Sequence, residues 1–151
     1  MRKSDWRERS VRRNKMIYVV VDTNVLVSAL WTYNPEAATR RILDLLIGRK
    51  ITPLYNEEVI AEYCDVLTRP KFPFDRQEVA DLIDFIIESG QNADRTPYGE
   101  ALPDEDDRVF YEISLTREDS FLVTGNLKHF PHSPRVVSPS EFLESNSELI
   151  L

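Results

Sequence analysis

The side chains in this sequence that are equipped for chemistry are mostly carboxylates. Asp22 follows the apolar run Ile17, Tyr18, Val19, Val20 and Val21, and VVVDTNVLVSAL turns apolar again after it. A charge at the end of a buried run is costly unless something partners it. Glu62 stands beside the apolar stripe of a helix-like segment. Asp104, Glu105, Asp106 and Asp107 form an acidic run, and Thr124, Gly125 and Asn126 turn the chain after a second apolar run. Singly, each has an ordinary explanation: Asp22 reads equally well as a helix cap, Glu62 as a solvated flank residue, and the acidic run as a loop and cap.

Their joint pattern says more. If the strand ending at Asp22 and the strand in FLVTG are neighbours, several acids at element termini converge. Carboxylates held within a few ångströms repel, so at neutral pH they share protons or bind a cation. The chain has only His129 and His132, with a single cysteine, Cys64, so zinc arrangements rich in thiolate or imidazole find no support. Oxygen ligands favour Mg²⁺ or Mn²⁺.

The elements that must position these acids alternate. Ile17 to Val21 reads as a strand buried on both faces, followed by helical turns through Val25, Leu26 and Leu30. Asn34-Pro35 reads as a helix opening, with Ile42, Leu43, Leu45, Leu46 and Ile47 as the apolar face before Gly48. The strand ITPLY follows. Asn56 caps a helix carrying Val59, Ile60, Tyr63, Val66 and Leu67, with Cys64 packed in it, and RPKFPF breaks it. Asp75 caps the next helix, which ends at Gly90. Residues 91–103 are polar and poorly periodic. Asp106 and Asp107 open a helix through Val109, Phe110, Ile113 and Leu115, FLVTG is a central strand, and Arg135 to Val137 is an edge strand. Ser138-Pro139-Ser140-Glu141 has the form of a capping box. This alternation predicts an α/β/α sandwich with a mostly parallel sheet, whose ligand sites gather beyond the carboxyl ends of the strands.

The formal net charge of -7 divides unevenly. Residues 1–15 carry seven Lys or Arg against Asp5 and Glu8, which leaves 12 basic and 24 acidic residues in 16–151. An acidic body argues against a broad nucleic-acid surface, because counterion release needs clustered cations. Contact with nucleic acid is then local, aided by the basic extension or mediated by bound cations. No apolar run approaches the roughly 20 residues that cross a bilayer, and the charged start lacks the apolar region of a secretory signal. The expectation is a cytoplasmic protein without a membrane segment, with 1–15 as a disordered extension and 16–151 as one domain.

VVVDTNVLVSAL, then EEVIAEYCDVLTRPKF, LPDEDDRVFYEIS and FLVTGNLKHFP, in this order and spacing, resemble the PIN-domain proteins, most closely those described as toxins of toxin-antitoxin systems. The resemblance covers Met16 to Phe142. It implies a three-layer sandwich with a small parallel sheet and a Mg²⁺- or Mn²⁺-dependent ribonuclease with an acidic pocket. Asp22, Glu62 and Asp107 look like the family's catalytic, metal-holding acids and Asp104 like an accessory metal ligand. Thr124 and Asn126 fall where many relatives carry a fourth carboxylate. Asn126 contributes no charge there, which weighs against tight binding of a second metal. The implied partners are an RNA substrate and an antitoxin, and relatives often form homodimers, although no heptad here establishes one.

Lys128 and His129 lie beside the expected pocket and are candidates for touching phosphate. Arg40-Arg41, Arg49-Lys50 and Arg69 with Lys71 read as ordinary solvated charge. An aspartyl-nucleophile phosphatase of the haloacid-dehalogenase type wants a second Asp two positions after Asp22, where this chain has Asn24. A PIN-like domain that has lost catalysis and acts as a protein- or RNA-binding module is the remaining alternative, and Asn126 motivates it.

Overall fold

The computed structural model describes residues 16–149, so the basic segment 1–15 expected as an extension lies outside the described residues. Strand β1, Tyr18–Val21, is buried at every position, as a continuous β-branched run requires in the middle of a parallel sheet. Helix α1, Thr23–Trp31, and helix α2, Ala38–Ile47, lead to β2, Thr52–Tyr55. Helices α3, Glu57–Leu67, and α4, Arg76–Ser89, lead to the short strand β3, Gln91–Asn92. A 3₁₀ turn, Glu105–Asp107, runs into α5, Arg108–Ser114, which feeds β4, Ser120–Val123. A second 3₁₀ turn, Leu127–His129, strand β5, Val136–Val137, helix α6, Pro139–Ser145, and a third 3₁₀ turn, Ser147–Leu149, follow.

The five strands form one sheet in the order β3-β2-β1-β4-β5, and every pairing is parallel. Tyr18 of β1 lies opposite Thr52 of β2 on one side and Ser120 of β4 on the other. The order therefore reverses between β1 and β4, which makes the carboxyl ends of these two strands the topological switch point of the sheet. Among the described residues, six helices flank it. Helix α2 packs on α1 and α6, α3 packs on α4 and α5, and α5 lies against β1, β2 and β4. The core runs through Val19, Val20, Leu122 and Val123 of the central strands to Leu46, Tyr63, Phe110, Ile113 and Phe142 of the helices.

Several expectations are corrected. Asn34-Pro35 does not open α2: Asn34 Oδ1 accepts the Glu36 N–H in a local turn, and the helix begins at Ala38. Gly48 is the C-cap of α2, but the left-handed residue is Arg49, at φ 59, where the Lys50 N–H reaches back to the Leu45 carbonyl. Asp107 does open the helix through Val109, as its N-cap by position without a side-chain capping bond, while Asp104 caps the 3₁₀ turn before it, its carboxylate accepting the Asp106 N–H at 3.0 Å. The apolar faces are narrower than the pattern implied, with Ile47 and Ile87 exposed and Ile60 and Val66 only partly buried. Cys64 lies on α3 as expected but is exposed. No helix among the described residues is long and apolar enough to cross a membrane.

Candidate metal-binding acidic site

Asp22 occupies the turn between β1 and α1 and is only 5% exposed. It is the N-cap of α1 by position, yet its side chain makes no capping hydrogen bond. The carboxylate instead faces the end of β4: Thr124 Oγ1 donates to Asp22 Oδ2 at 2.7 Å, and Asn24 Nδ2 donates to the same oxygen at 3.3 Å. Burial pushes the Asp22 carboxyl up to about 6, with the charges of Asp107 and Glu62 adding to the rise and the Thr124 hydrogen bond opposing it. The ordinary cap explanation thus fits the backbone but not the side chain.

Glu62, half-buried on α3, accepts a short hydrogen bond from the hydroxyl of Thr23, the first residue of α1. Its carboxyl is raised by burial and by Asp107 and Asp106, while Thr23 and Arg69 pull it down. Asp107 is raised by burial and by Asp104, and lowered by His129, whose Nδ1 lies 3.0 Å from Asp107 Oδ2. Asp104, Asp107 and His129 each offer a ligand atom within 4.8 Å of one another. Asp22 and Glu62 stand outside that tightest grouping but within electrostatic reach of Asp107. Tyr63, one residue beyond Glu62, donates its hydroxyl to the Val21 carbonyl, which ties α3 to the end of β1. Its phenol is pushed up by burial and by Asp22 and Glu62.

The irregular segment before Asp104 is held by a network the sequence pattern did not reveal. Glu112 on α5 is buried and accepts from Arg95 Nε at 2.8 Å and from the Tyr98 N–H at 2.9 Å. Arg108 reaches the Tyr98 and Glu100 carbonyls and the Glu105 carboxylate. Burial pushes the Glu112 carboxyl up, but the Tyr98 N–H, Arg95 and Arg108 outweigh it and hold the group below the usual carboxylate range. A buried carboxylate with this many donors fixes the backbone leading to Asp104 and Asp107.

The turn after β4 completes the rim. Thr124 is fully buried, and its Oγ1 also accepts the Asn126 N–H at 2.9 Å. The Asn126 amide is exposed and makes no hydrogen bond among the described residues. Lys128 is exposed in the 3₁₀ turn beside it, whereas His129, expected to touch phosphate, turns onto Asp107. Arg40, Arg49 and Arg69 form exposed pairs with Asp44, Glu88 and Asp65, as ordinary surface charges do. Thr23 and Asn24 escaped the sequence reading as site residues. Their only signal was adjacency to Asp22.

Carboxylate oxygens with one imidazole suit a hard divalent cation. Like charges pressed together at a strand end, with protonation favoured in the cation's absence, are the electrostatic complement of such an ion. The sequence pattern of the PIN domain matches residues 18–128, from the first residue of β1 to the turn beyond β4, and includes every acid described above. The chain belongs to the PIN-domain family, whose fold is of the nuclease type. No individual curated protein matches it.

Proposed function

We propose that this chain is a metal-dependent ribonuclease and the toxin of a toxin-antitoxin pair. The observation that carries the nuclease reading is the convergence of Asp22, Glu62 and Asp107 at the β1-β4 switch point, each carboxyl held above its ordinary value. These three, with Asp104, would hold Mg²⁺ or Mn²⁺. The chemistry such an ion supplies is activation of water toward phosphorus and neutralisation of charge on the phosphodiester. The chain's own residues set the stage: Thr124 and Asn24 orient Asp22, Thr23 orients Glu62, and His129 orients Asp107. Lys128 offers an exposed cation for a neighbouring phosphate. The toxin part rests on the sequence resemblance alone, and with it the antitoxin partner and any homodimer.

Cleavage of a labelled, structured RNA mixture with Mn²⁺ or Mg²⁺, beside EDTA and Asp22→Asn controls, tests the enzyme. Metal-dependent cutting lost in the variant is expected. Folded, antitoxin-free protein that binds no divalent ion and cuts no RNA would establish the second reading, a binding module, which the uncharged Asn126 favours. Growth arrest on expression, relieved by the product of an adjacent gene, tests the toxin assignment.

A further inference from the structure

Beside the carboxylates, on the α1-α2 side of Asp22, lies a shallow concavity of a different chemistry. Asn24, Val25 and Ser28 of α1, Thr39 of α2, and Gly125 and Asn126 of the turn after β4 line it, and none of them is ionisable. One wall is rigid: Asn24 spends its amide on Asp22 Oδ2 and its Oδ1 on the Gly125 N–H at 3.1 Å. The other polar groups are open. Ser28 Oγ, Thr39 Oγ1 and the Asn126 amide make no hydrogen bond among the described residues, and Asn126 is joined to Asp22 through the hydroxyl of Thr124.

Hydroxyls and an amide both donate and accept, so this lining matches groups that do the same. A phosphate is a poor match, because the pocket holds no cation. A ribose hydroxyl and the polar edge of a base are good ones, and the 2′-hydroxyl is the group by which a protein tells RNA from DNA. We infer that this pocket is the subsite for the nucleoside adjoining the scissile phosphate, with Ser28, Thr39 and Asn126 as the residues that select ribonucleotide over deoxyribonucleotide. The inference rests on the ribonuclease reading for the position of the phosphate.

The test uses the Ser28→Ala/Thr39→Ala double variant and Asn126→Ala, each also built on Asp22→Asn so that binding is read without cutting. Alanine suits both helical positions, so folding survives. The probes are labelled random-sequence oligoribonucleotides and their deoxy counterparts, with Mg²⁺ present. The expected result is an RNA affinity lowered about tenfold, as loss of one or two net hydrogen bonds produces, and a smaller ratio of RNA to DNA affinity. In the cutting-competent protein, KM rises and cut positions redistribute. Unchanged affinity and ratio in folded variants overturn the inference, as does a parent protein that binds RNA no better than DNA. If the parent cuts no RNA yet the variants lose RNA binding, the pocket's selection of ribonucleotides stands, while the nuclease reading fails and with it the pocket's place beside a scissile phosphate. Normal cutting with unmoved cut positions, KM and affinity gives the reverse.

Discussion

The hydroxyl of Thr124, at the end of β4, donates to Asp22 Oδ2, at the end of β1, across 2.7 Å. Two residues 102 positions apart are thereby locked together at the point where the strand order of the sheet reverses. The same hydroxyl oxygen accepts the Asn126 N–H, so it fixes both the carboxylate and the turn that faces it.

Thr124→Val keeps the shape of the side chain and removes that oxygen. The Asn126 N–H then loses its partner and Asp22 loses its best donor, at a cost of about 1–3 kcal/mol in stability. Partners of metal ligands typically govern 10–100-fold in affinity, and a Mn²⁺ affinity weakened about that much is the expected outcome by titration calorimetry. Unchanged Mn²⁺ binding would show that Asp22 does not ligate.

Asp22 makes the metal-free protein sensitive to pH. Its folded carboxyl sits near 6, above the unfolded value of 3.8, so ionising it opposes folding. This penalty is absent below the unfolded value, grows as pH rises from about 4 to 6, and is complete above the folded value. At one unit per about 1.4 kcal/mol it amounts to roughly 2–3 kcal/mol. Asp22→Asn is therefore expected to raise the melting temperature of the metal-free protein at pH 7.5 and to lose this advantage at pH 4. Added Mn²⁺ reverses the order, stabilising the parent and not the variant.

Why the sequence disclosed so much of this has a physical basis. β1 and β4 are runs with no polar interruption, so their burial and their parallel pairing follow from composition, and Asp22 and Thr124 mark where each run stops. Glu62 could be placed beside the buried face of α3 because Val59, Tyr63 and Leu67 repeat at helical spacing. Partnerships were not legible. No periodicity tells that His129 turns onto Asp107, or that Glu112, in the middle of a helix, gathers Arg95 from a segment without a pattern beside Arg108 of its own helix. RPKFPF read only as a helix breaker, whereas Phe72 and Phe74 stack on each other and meet the edge of Trp31. Such contacts depend on how distant segments are brought together, which local spacing does not encode.

Glu112→Gln tests the network that leads to the acids. The folded carboxyl lies below its ordinary value, so its ion pairs stabilise the fold above the unfolded value and cease to do so as pH falls through the folded one. Breaking a fully buried pair by removing one charge costs about 3–5 kcal/mol, and the partial exposure of Arg95 and Arg108 makes the cost here smaller. The variant is expected to unfold at lower denaturant at pH 7 and to converge with the parent below the carboxylate range. Its Mn²⁺ affinity falls as well, because the backbone before Asp104 and Asp107 loosens. A variant with parental stability would show that Arg95 and Arg108 do not depend on this carboxylate.

Asn126→Asp asks whether the missing charge limits the site. The Asn126 amide makes no hydrogen bond among the described residues and is exposed, so no native contact is lost on substitution. The backbone N–H of residue 126 bonds Thr124, whose hydroxyl donates to Asp22, so the new carboxylate would stand on the turn beside Asp22 and add a negative charge near an acid already raised by burial and by its acidic neighbours. Without metal, that charge opposes folding, and the melting temperature at pH 7.5 is expected to drop. With Mn²⁺ it supplies a further oxygen ligand, and calorimetry is expected to show tighter binding or a second equivalent, with faster RNA cleavage at limiting metal. If Mn²⁺ affinity and stoichiometry stay at parental values while the metal-free protein is destabilised, Asn126 faces the acids without facing the ion, and its contribution belongs to the neighbouring polar pocket.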